Sequence, residues 1–397
     1  MSNSNENAIV ILAPFASVPE EIKFNRFYFL ADLFSKGKKV TLITSDFNHN
    51  DKLHNRSRNY RISDSFSIIC LHELGYKNNI SIIRFVSHLV FTYNFYLFFK
   101  KNKKIFENTL IIAAYPLIFP LFLLSVYKRK CKYKLVVDIN DIWPQAFGHI
   151  LPRRFRFVLD TKILNCLSYY IFKKADVIIS VSKTYLKYGI KSNPNAYNYV
   201  LYLGNDKRHL NLNSNNETEL KGEVHFAYIG AIGTSYDLET CIRGFNKLIT
   251  HNNKNIFFHI FGDGPNKKYL ESISNTNIIF HGFIEYSVML NLVKKMNFLV
   301  NPIKDGASQS VTNKLSDYIL LQKPIISSQN SDEIQSFFTE RSYYLYEARN
   351  INDFISTSKK IIDDSHIINF NVDLINLFDR NVSYPQFVNW LSSIKII

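Results

Sequence analysis

Lys314 and Asp317 stand three residues apart in SVTNKLSDYILLQKPII, Ser310–Ile326, a spacing that puts an ammonium and a carboxylate on one face of a helix. The residues before them, Gly306, Ala307, Ser308, Gln309 and Ser310, read as a small polar loop whose backbone amides open toward an anion. Together these groups suit a phosphorylated sugar: the ammonium and the helix N-terminus meet a diphosphate, and the carboxylate accepts from ribose hydroxyls. On spacing alone the plainer reading, an amphipathic helix with a solvated Lys–Asp pair, has the better claim.

Other positions add to the set. In YIGAIGTSYDLET, Tyr228–Thr240, Gly230 and Gly233 let a ligand approach the backbone, and a helix starting near Asp237 offers its amides. In HIFGDGPNKKYLE, Gly262, Gly264 and Pro265 need no ligand, because a tight strand-to-helix turn explains them. No DxD triplet is present to clamp a divalent metal, and no metal ligands are expected. GxSxG, a Walker lysine loop and HExxH are absent too, which argues against an esterase, a kinase and a zinc protease.

Positioning such groups takes a sheet. The first half alternates apolar runs (AIVILAP, KVTLITSDF, FSIICLHEL, LIIAAYP, KLVVDIND, ADVIISVS, YVLYLGND) with helical stretches such as Phe24–Ser35 and Arg154–Lys174. After a polar, Asn-rich stretch, Asp206–Gly222, the alternation restarts with EVHFAYIGAIG, NIFFHIFGDG, NIIFHGFI, FLVNPIK and PIISSQ. Near-continuous apolar strands separated by helices predict parallel sheets covered on both faces, so two Rossmann-like α/β domains, with ligands beyond the carboxyl ends of the strands.

The 397 residues suffice for two such cores. Cys70, Cys131, Cys166 and Cys241 are scattered, and read as buried thiols of a reducing compartment with neither disulfide nor structural zinc. The start, MSNSNENAIVILAP, lacks a basic n-region and a long apolar core, so a cytoplasmic protein is expected. The nearest approach to a membrane span is Leu110–Tyr127, which Pro116 and Pro120 would break. Residues 1–205 hold 29 Lys and Arg against 13 Asp and Glu, whereas residues 206–397 hold 19 against 20. All the excess positive charge therefore lies in the first half, where RFVSHLVFTYNFYLFFKKNKK, Arg84–Lys104, has the composition of an interfacial helix or of a helix covering a sheet. An anionic membrane surface or an acidic acceptor is the partner expected; no nucleic-acid-binding module is visible.

The segment around Asp317 resembles the C-terminal signature of the family 4 glycosyltransferases, (K)LxEYxxxGKPVI. Asp317 keeps the distance to Pro324, with Lys314 and Lys323 in place; Asp replaces the usual Glu, and Gln322 the usual Gly. The likeness is strongest over Glu223–Gln329 and weaker in the first half. It implies the GT-B fold: α/β, two Rossmann-like parallel-sheet domains facing a cleft, and a C-terminal helix crossing back to the first domain. The corresponding boundaries are 1–205 for acceptor binding, 206–380 for the donor and 381–397 for the returning helix.

On the donor side the resemblance implicates Lys314, Asp317, Asn313, Gly230, Gly233, Ser235 and Phe283, the last beside the nucleotide base. The Arg and Lys usual in the first loop are missing, since Ala231, Ser235 and Tyr236 stand there, leaving Lys314 as the main cation. Gln309 occupies the place of the second carboxylate of the family pattern, and cannot stabilise positive charge at an anomeric carbon as a carboxylate would. In KLVVDINDIWPQAF, Asn140 and Asp141 hold the catalytic, acceptor-side place; Asp141 could receive a hydroxyl proton, cap the next helix or hold a loop. Asn25 and Arg26 could bind an anionic acceptor, or Arg26 could pack across an aromatic face.

The expected activity is retaining, metal-independent transfer of a sugar from a nucleotide-diphosphate sugar, a UDP-sugar by expectation and the only cofactor-like partner. The expected acceptor is a polyprenyl-diphosphate-linked saccharide in bacterial surface polysaccharide biosynthesis, at the inner face of the cytoplasmic membrane. The rivals are a nucleotide-sugar epimerase of the same fold and a degenerate transferase acting as a scaffold.

Overall fold

The computed structural model describes residues 8–21, 25–49, 51–78, 81–142, 162–206, 222–251, 255–304, 311–339, 341–364 and 371–397. The chain separates into two compact units, Met1–Tyr202 with Tyr384–Ile397, and Leu203–Ser383.

The first unit holds β1 (Ala8–Leu12), β2 (Lys39–Ser45), β3 (Asn59–Arg61), β4 (Phe66–Leu71), β5 (Leu110–Tyr115), β6 (Lys134–Ile139), β7 (Val177–Ser180) and β8 (Tyr197–Val200). They form one sheet in the order β3-β4-β2-β1-β5-β6-β7-β8. All neighbours are parallel except β3, which pairs antiparallel with β4 at the edge. From β4 to β7 this is the doubly wound order, whose reversal lies between β1 and β5. β5 is buried along its whole length because helices cover both faces, which is why its sequence shows no polar alternation. Pro116 follows that strand, and Pro120 falls in the first turn of the helix Ile118–Cys131, where a missing N–H costs no helical hydrogen bond. The run YVLYLGND contributes less strand than its composition suggests: β8 starts earlier and ends at Val200, and Leu201 and Tyr202 are buried beyond it.

The helix Ile82–Lys101 is, among the described helices, the one long and apolar enough to cross a membrane by length and composition, so the candidate span lies there and not at Leu110–Tyr127. Its inner face, Phe91, Phe95 and Phe99, is buried at the i, i+4 spacing of a core stripe. The helix Arg380–Ser393 returns to the first unit, where Tyr384, Phe387 and Leu391 are fully buried in the core around β1 and β2. Each such burial is worth about 1.5–3 kcal/mol, which fixes the end of the chain there. Cys70, Cys131 and Cys241 are buried; Cys166 is exposed, contrary to the expectation, because its position on the helix Lys162–Lys174 faces away from the buried stripe of Leu164, Ser168, Ile171 and Phe172.

The second unit holds β9 (Glu223–Ile229), β10 (Asn255–Phe261), β11 (Ile278–Gly282), β12 (Phe298–Asn301), β13 (Ile325–Ser327) and β14 (Tyr343–Leu345). All are parallel, in the order β11-β10-β9-β12-β13-β14, with the reversal between β9 and β12.

Candidate functional site

In the second unit the loops after β9 and β12 leave the sheet at the reversal, the place where doubly wound sheets bind ligands. They lie against each other: Lys304 N donates to Ser235 O at 3.1 Å and Asp237 N to Pro302 O at 3.0 Å. The helix Asn313–Leu321 closes this corner. Thr312 caps it by accepting from Leu315 N, and every residue after Asn313 is buried. Tyr318 ties it to the reversal itself, accepting from Ile229 N and donating to Val300 O, each at 3.0 Å. Gln322 ends the helix at φ +54°, the left-handed conformation that explains why Gly is the usual residue there.

Lys314 is 6% exposed, and its Nζ has no hydrogen-bond partner among the described residues. It lies 3.5 Å from the centroid of the Tyr236 ring and 4.5 Å from that of Tyr228. Burial pushes its pKa well below the usual lysine range, since desolvation penalises the ammonium. Gly230, at φ +139°, runs beside it; a Cβ there would sit 3.8 Å from Lys314 Cε. The turn after β10 props that loop, because a Cβ on Gly262 would come 1.9 Å from Gly230 O and one on Gly264 2.4 Å from Ile232 O. Gly262 and Gly264 are thus required by packing of backbone on backbone, as a tight turn alone predicts.

One helical turn on, Asp317 is 5% exposed. Its Oδ1 accepts from the Tyr286 hydroxyl at 2.6 Å and from Asn205 Nδ2. Burial raises its pKa to about 6, with the two hydrogen bonds opposing that rise. Among the described residues both donors use one oxygen, which leaves Oδ2 available as an acceptor.

The remaining donor-side positions differ in kind. A Cβ on Gly233 would meet nothing within 4 Å, so the backbone there is open to a ligand. Ser235 belongs to the paired loops, Asn313 is exposed at the helix start, and Phe283 is 76% exposed after β11. Gln309 lies outside the described residues. Tyr228, Tyr236, Tyr286 and Asn205 were not singled out as binding residues from sequence. The signal for Tyr236 was its occupation of a place where a Lys is usual; for Asn205 and Tyr286 nothing local marks a contact made 112 and 31 residues away.

In the first unit Asp141 is exposed just past β6, its carboxylate accepting from Ile142 N at 2.8 Å, and Asn140 Nδ2 donates to Asp138 O at 3.0 Å. Residues 143–161, which follow, lie outside the described residues. Asn25 is the N-cap of the helix Arg26–Ser35: its side chain accepts from Phe27 N and donates to Phe15 O, each at 2.8 Å. Of the two readings of Arg26, acceptor contact or packing across an aromatic face, the described geometry matches the second. Its guanidinium is buried, 3.0 Å from the Asp138 carboxylate, which is itself wholly buried, and it donates to Leu201 O at 3.3 Å beside the Phe27 and Tyr384 rings. A carboxylate at the centre of a parallel sheet needs a counter-charge more than a surface ligand does; even so paired, burial holds Asp138 at about 6.

Residues 223–364 match the family model described as glycosyl transferases group 1. No curated protein matches the sequence. Among solved structures, the chain is similar to sucrose-phosphate synthase from Thermosynechococcus elongatus, at 13% identity and a TM-score of 0.67, over 98% of this chain and 99% of that one. It is similar to HepE of Anabaena in complex with UDP, at 11% identity and a TM-score of 0.65, over 98% and 100%. A third likeness is the lipopolysaccharide outer core galactosyltransferase WaaB in its apo form, at 14% identity and a TM-score of 0.62, over 97% and 99%. These likenesses show the fold, the two Rossmann-like sheets of GT-B proteins.

Proposed function

We propose that the chain is a glycosyltransferase of the group 1 kind, taking a sugar from a nucleoside-diphosphate sugar bound in the second unit. The observation that carries this reading is the buried amine of Lys314 at the reversal of the sheet, without a hydrogen-bond partner among the described residues and one helical turn from a carboxylate with a spare oxygen. An unpaired buried amine is costly in the empty protein and becomes favourable when a diphosphate arrives. Asp317 then accepts from the ribose, and the open backbone at Gly230 and Gly233 admits the phosphates. A family match over the same residues and a similar structure complexed with UDP favour a uridine donor.

The reaction is proposed to be retaining and metal-independent, by displacement on the face from which the diphosphate leaves. The acceptor oxygen bonds to the anomeric carbon, the bond from that carbon to the β-phosphate oxygen breaks, and the leaving phosphate takes the hydroxyl proton. Lys314 and the amides of its helix stabilise the departing charge. Asp141, exposed at the end of β6, is the group proposed to orient the acceptor hydroxyl.

The acceptor is proposed to be a polyprenyl-diphosphate-linked saccharide at an anionic, cytoplasmic membrane surface, in surface polysaccharide assembly. Ile82, Ile83, Val86, Leu89, Tyr93 and Leu97 are exposed along the helix Ile82–Lys101, which ends in Lys100 and Lys101. An apolar stripe with basic residues at its end suits the interface of an anionic bilayer.

The test is transfer of labelled sugar from a panel of UDP-, GDP- and ADP-sugars to lipid-linked saccharides in vesicles. A glycosylated lipid formed from one donor class supports the reading. An isomerised nucleotide sugar would make the chain an epimerase, and donor binding without product of any kind would make it a scaffold.

A further inference from the structure

The first unit carries a second cluster that the donor reading leaves unused. β2 and β4 are neighbours, and Asp46 N donates to Leu71 O at 2.9 Å, so the residues just past both strands meet. Asp46 Oδ2 lies 2.9 Å from His72 Nδ1, and Asp46 Oδ1 lies 3.3 Å from His54 Nδ1. The three ligand atoms fall within 4.8 Å of one another. Glu73 N donates to Asp46 Oδ1 at 3.0 Å and holds the carboxylate, while the two imidazoles stack with centroids 5.6 Å apart.

The tautomer of His54 gives the cluster its direction. Nε2 lies 3.3 Å from Leu74 O, and a carbonyl only accepts, so Nε2 carries the hydrogen. In the neutral ring Nδ1 is then a lone pair aimed at a carboxylate oxygen, an opposition relieved either by a proton on Nδ1 or by a metal cation between the two. Donation of one ring N–H to a backbone carbonyl is also how proteins orient a histidine whose other nitrogen binds a metal. Metal–ligand bonds of about 2.0–2.1 Å place neighbouring ligand atoms of a tetrahedron roughly 3.3 Å apart, inside the 4.8 Å that encloses the three atoms here. Two nitrogen donors disfavour magnesium and calcium and suit zinc and its transition-metal neighbours.

We propose that Asp46, His54 and His72 bind one divalent transition-metal ion of the zinc type, with a further coordination position open to water or to an oxygen of a ligand. Both histidine side chains are well exposed, at 41% and 59%, so that position faces solvent. The proposal does not depend on the donor site of the second unit.

The experiment uses the full-length, tag-free chain, stripped with a chelator and titrated with Zn²⁺ by calorimetry, with metal content read by mass spectrometry after dialysis. Co²⁺ loading provides a second readout through its visible ligand-field bands. The expected result is one Zn²⁺ per chain, with affinity lowered at least about 100-fold in His54→Ala and in His72→Ala, because loss of outer-shell partners alone costs about 10–100-fold. Both side chains are exposed, so the variants should fold, which circular dichroism checks. Absence of stoichiometric Zn²⁺ binding by the unsubstituted chain, or binding undiminished in both variants, overturns the proposal and leaves an imidazolium–carboxylate cluster.

Discussion

Replacing Lys314 by Met should make the protein more stable and less able to bind a nucleotide. The side chain is 6% exposed with no hydrogen-bond partner among the described residues, and a buried polar group without a partner costs about 1–3 kcal/mol. Met keeps the length of the chain and removes the amine. Against the gain stands the contact with the Tyr228 and Tyr236 rings, worth up to about 2 kcal/mol for a desolvated cation but less here, because burial drives the amine toward its neutral form. The balance predicts a gain of about 1 kcal/mol, or roughly 2–4 °C for a unit of this size. For binding, a hydrogen bond to a charged group contributes about 1.5–3 kcal/mol, so the dissociation constant for UDP should rise by roughly 10- to 150-fold. Thermal melts of both proteins without ligand, followed by calorimetric titration with UDP, measure the two effects. A variant that melts lower and binds UDP unchanged would show that the ammonium is a structural cation between two rings, and the assignment of the donor site would be wrong.

Binding should also move a proton. The empty site holds Lys314 neutral above its lowered pKa and a diphosphate favours the ammonium, so UDP binding takes up as much as one proton and weakens as pH rises; the dependence of binding enthalpy on buffer ionisation enthalpy measures this, and Lys314→Met should abolish it. Arg26→Met should destabilise the first unit by about 3–5 kcal/mol in denaturant unfolding, because it strands the buried Asp138 carboxylate. Gly262→Ala should cost roughly 2–6 kcal/mol, from a Cβ driven onto Gly230 O and from the strain of φ +147°, and should depress UDP affinity by shifting the loop beside Lys314. Flotation with anionic vesicles should recover the chain at low salt and lose it at high salt, and Leu89→Glu with Leu97→Glu should abolish the recovery at low salt.

What was legible in the sequence is what local chemistry determines. β5 and β9 announce themselves as unbroken apolar runs because both faces of a parallel sheet are covered. β3 does not, since NYR at an exposed edge has no buried face to pattern, and β14 is only three residues long. That Lys314 and Asp317 stand one turn apart on a single helix was readable because their spacing is that of a helix. The ion pair of Arg26 with Asp138 was not readable, because the two meet only through the fold, across a separation in sequence that no periodicity encodes. The same holds for Asn205 and Tyr286 on Asp317, and for Asp46, His54 and His72, whose irregular spacing hides that β2 and β4 end side by side.

The measurement that bears most directly on the donor site is a thermal-shift panel of UDP, GDP, ADP, CMP and their sugars on the unsubstituted chain, each compared with a ligand-free reference, with and without EDTA. The expected result is a shift from one nucleoside diphosphate class that persists in EDTA, since Lys314, the helix amides and Asp317 are sufficient to hold it. A flat panel at millimolar ligand would refute the donor site and leave the buried amine of Lys314 without a role.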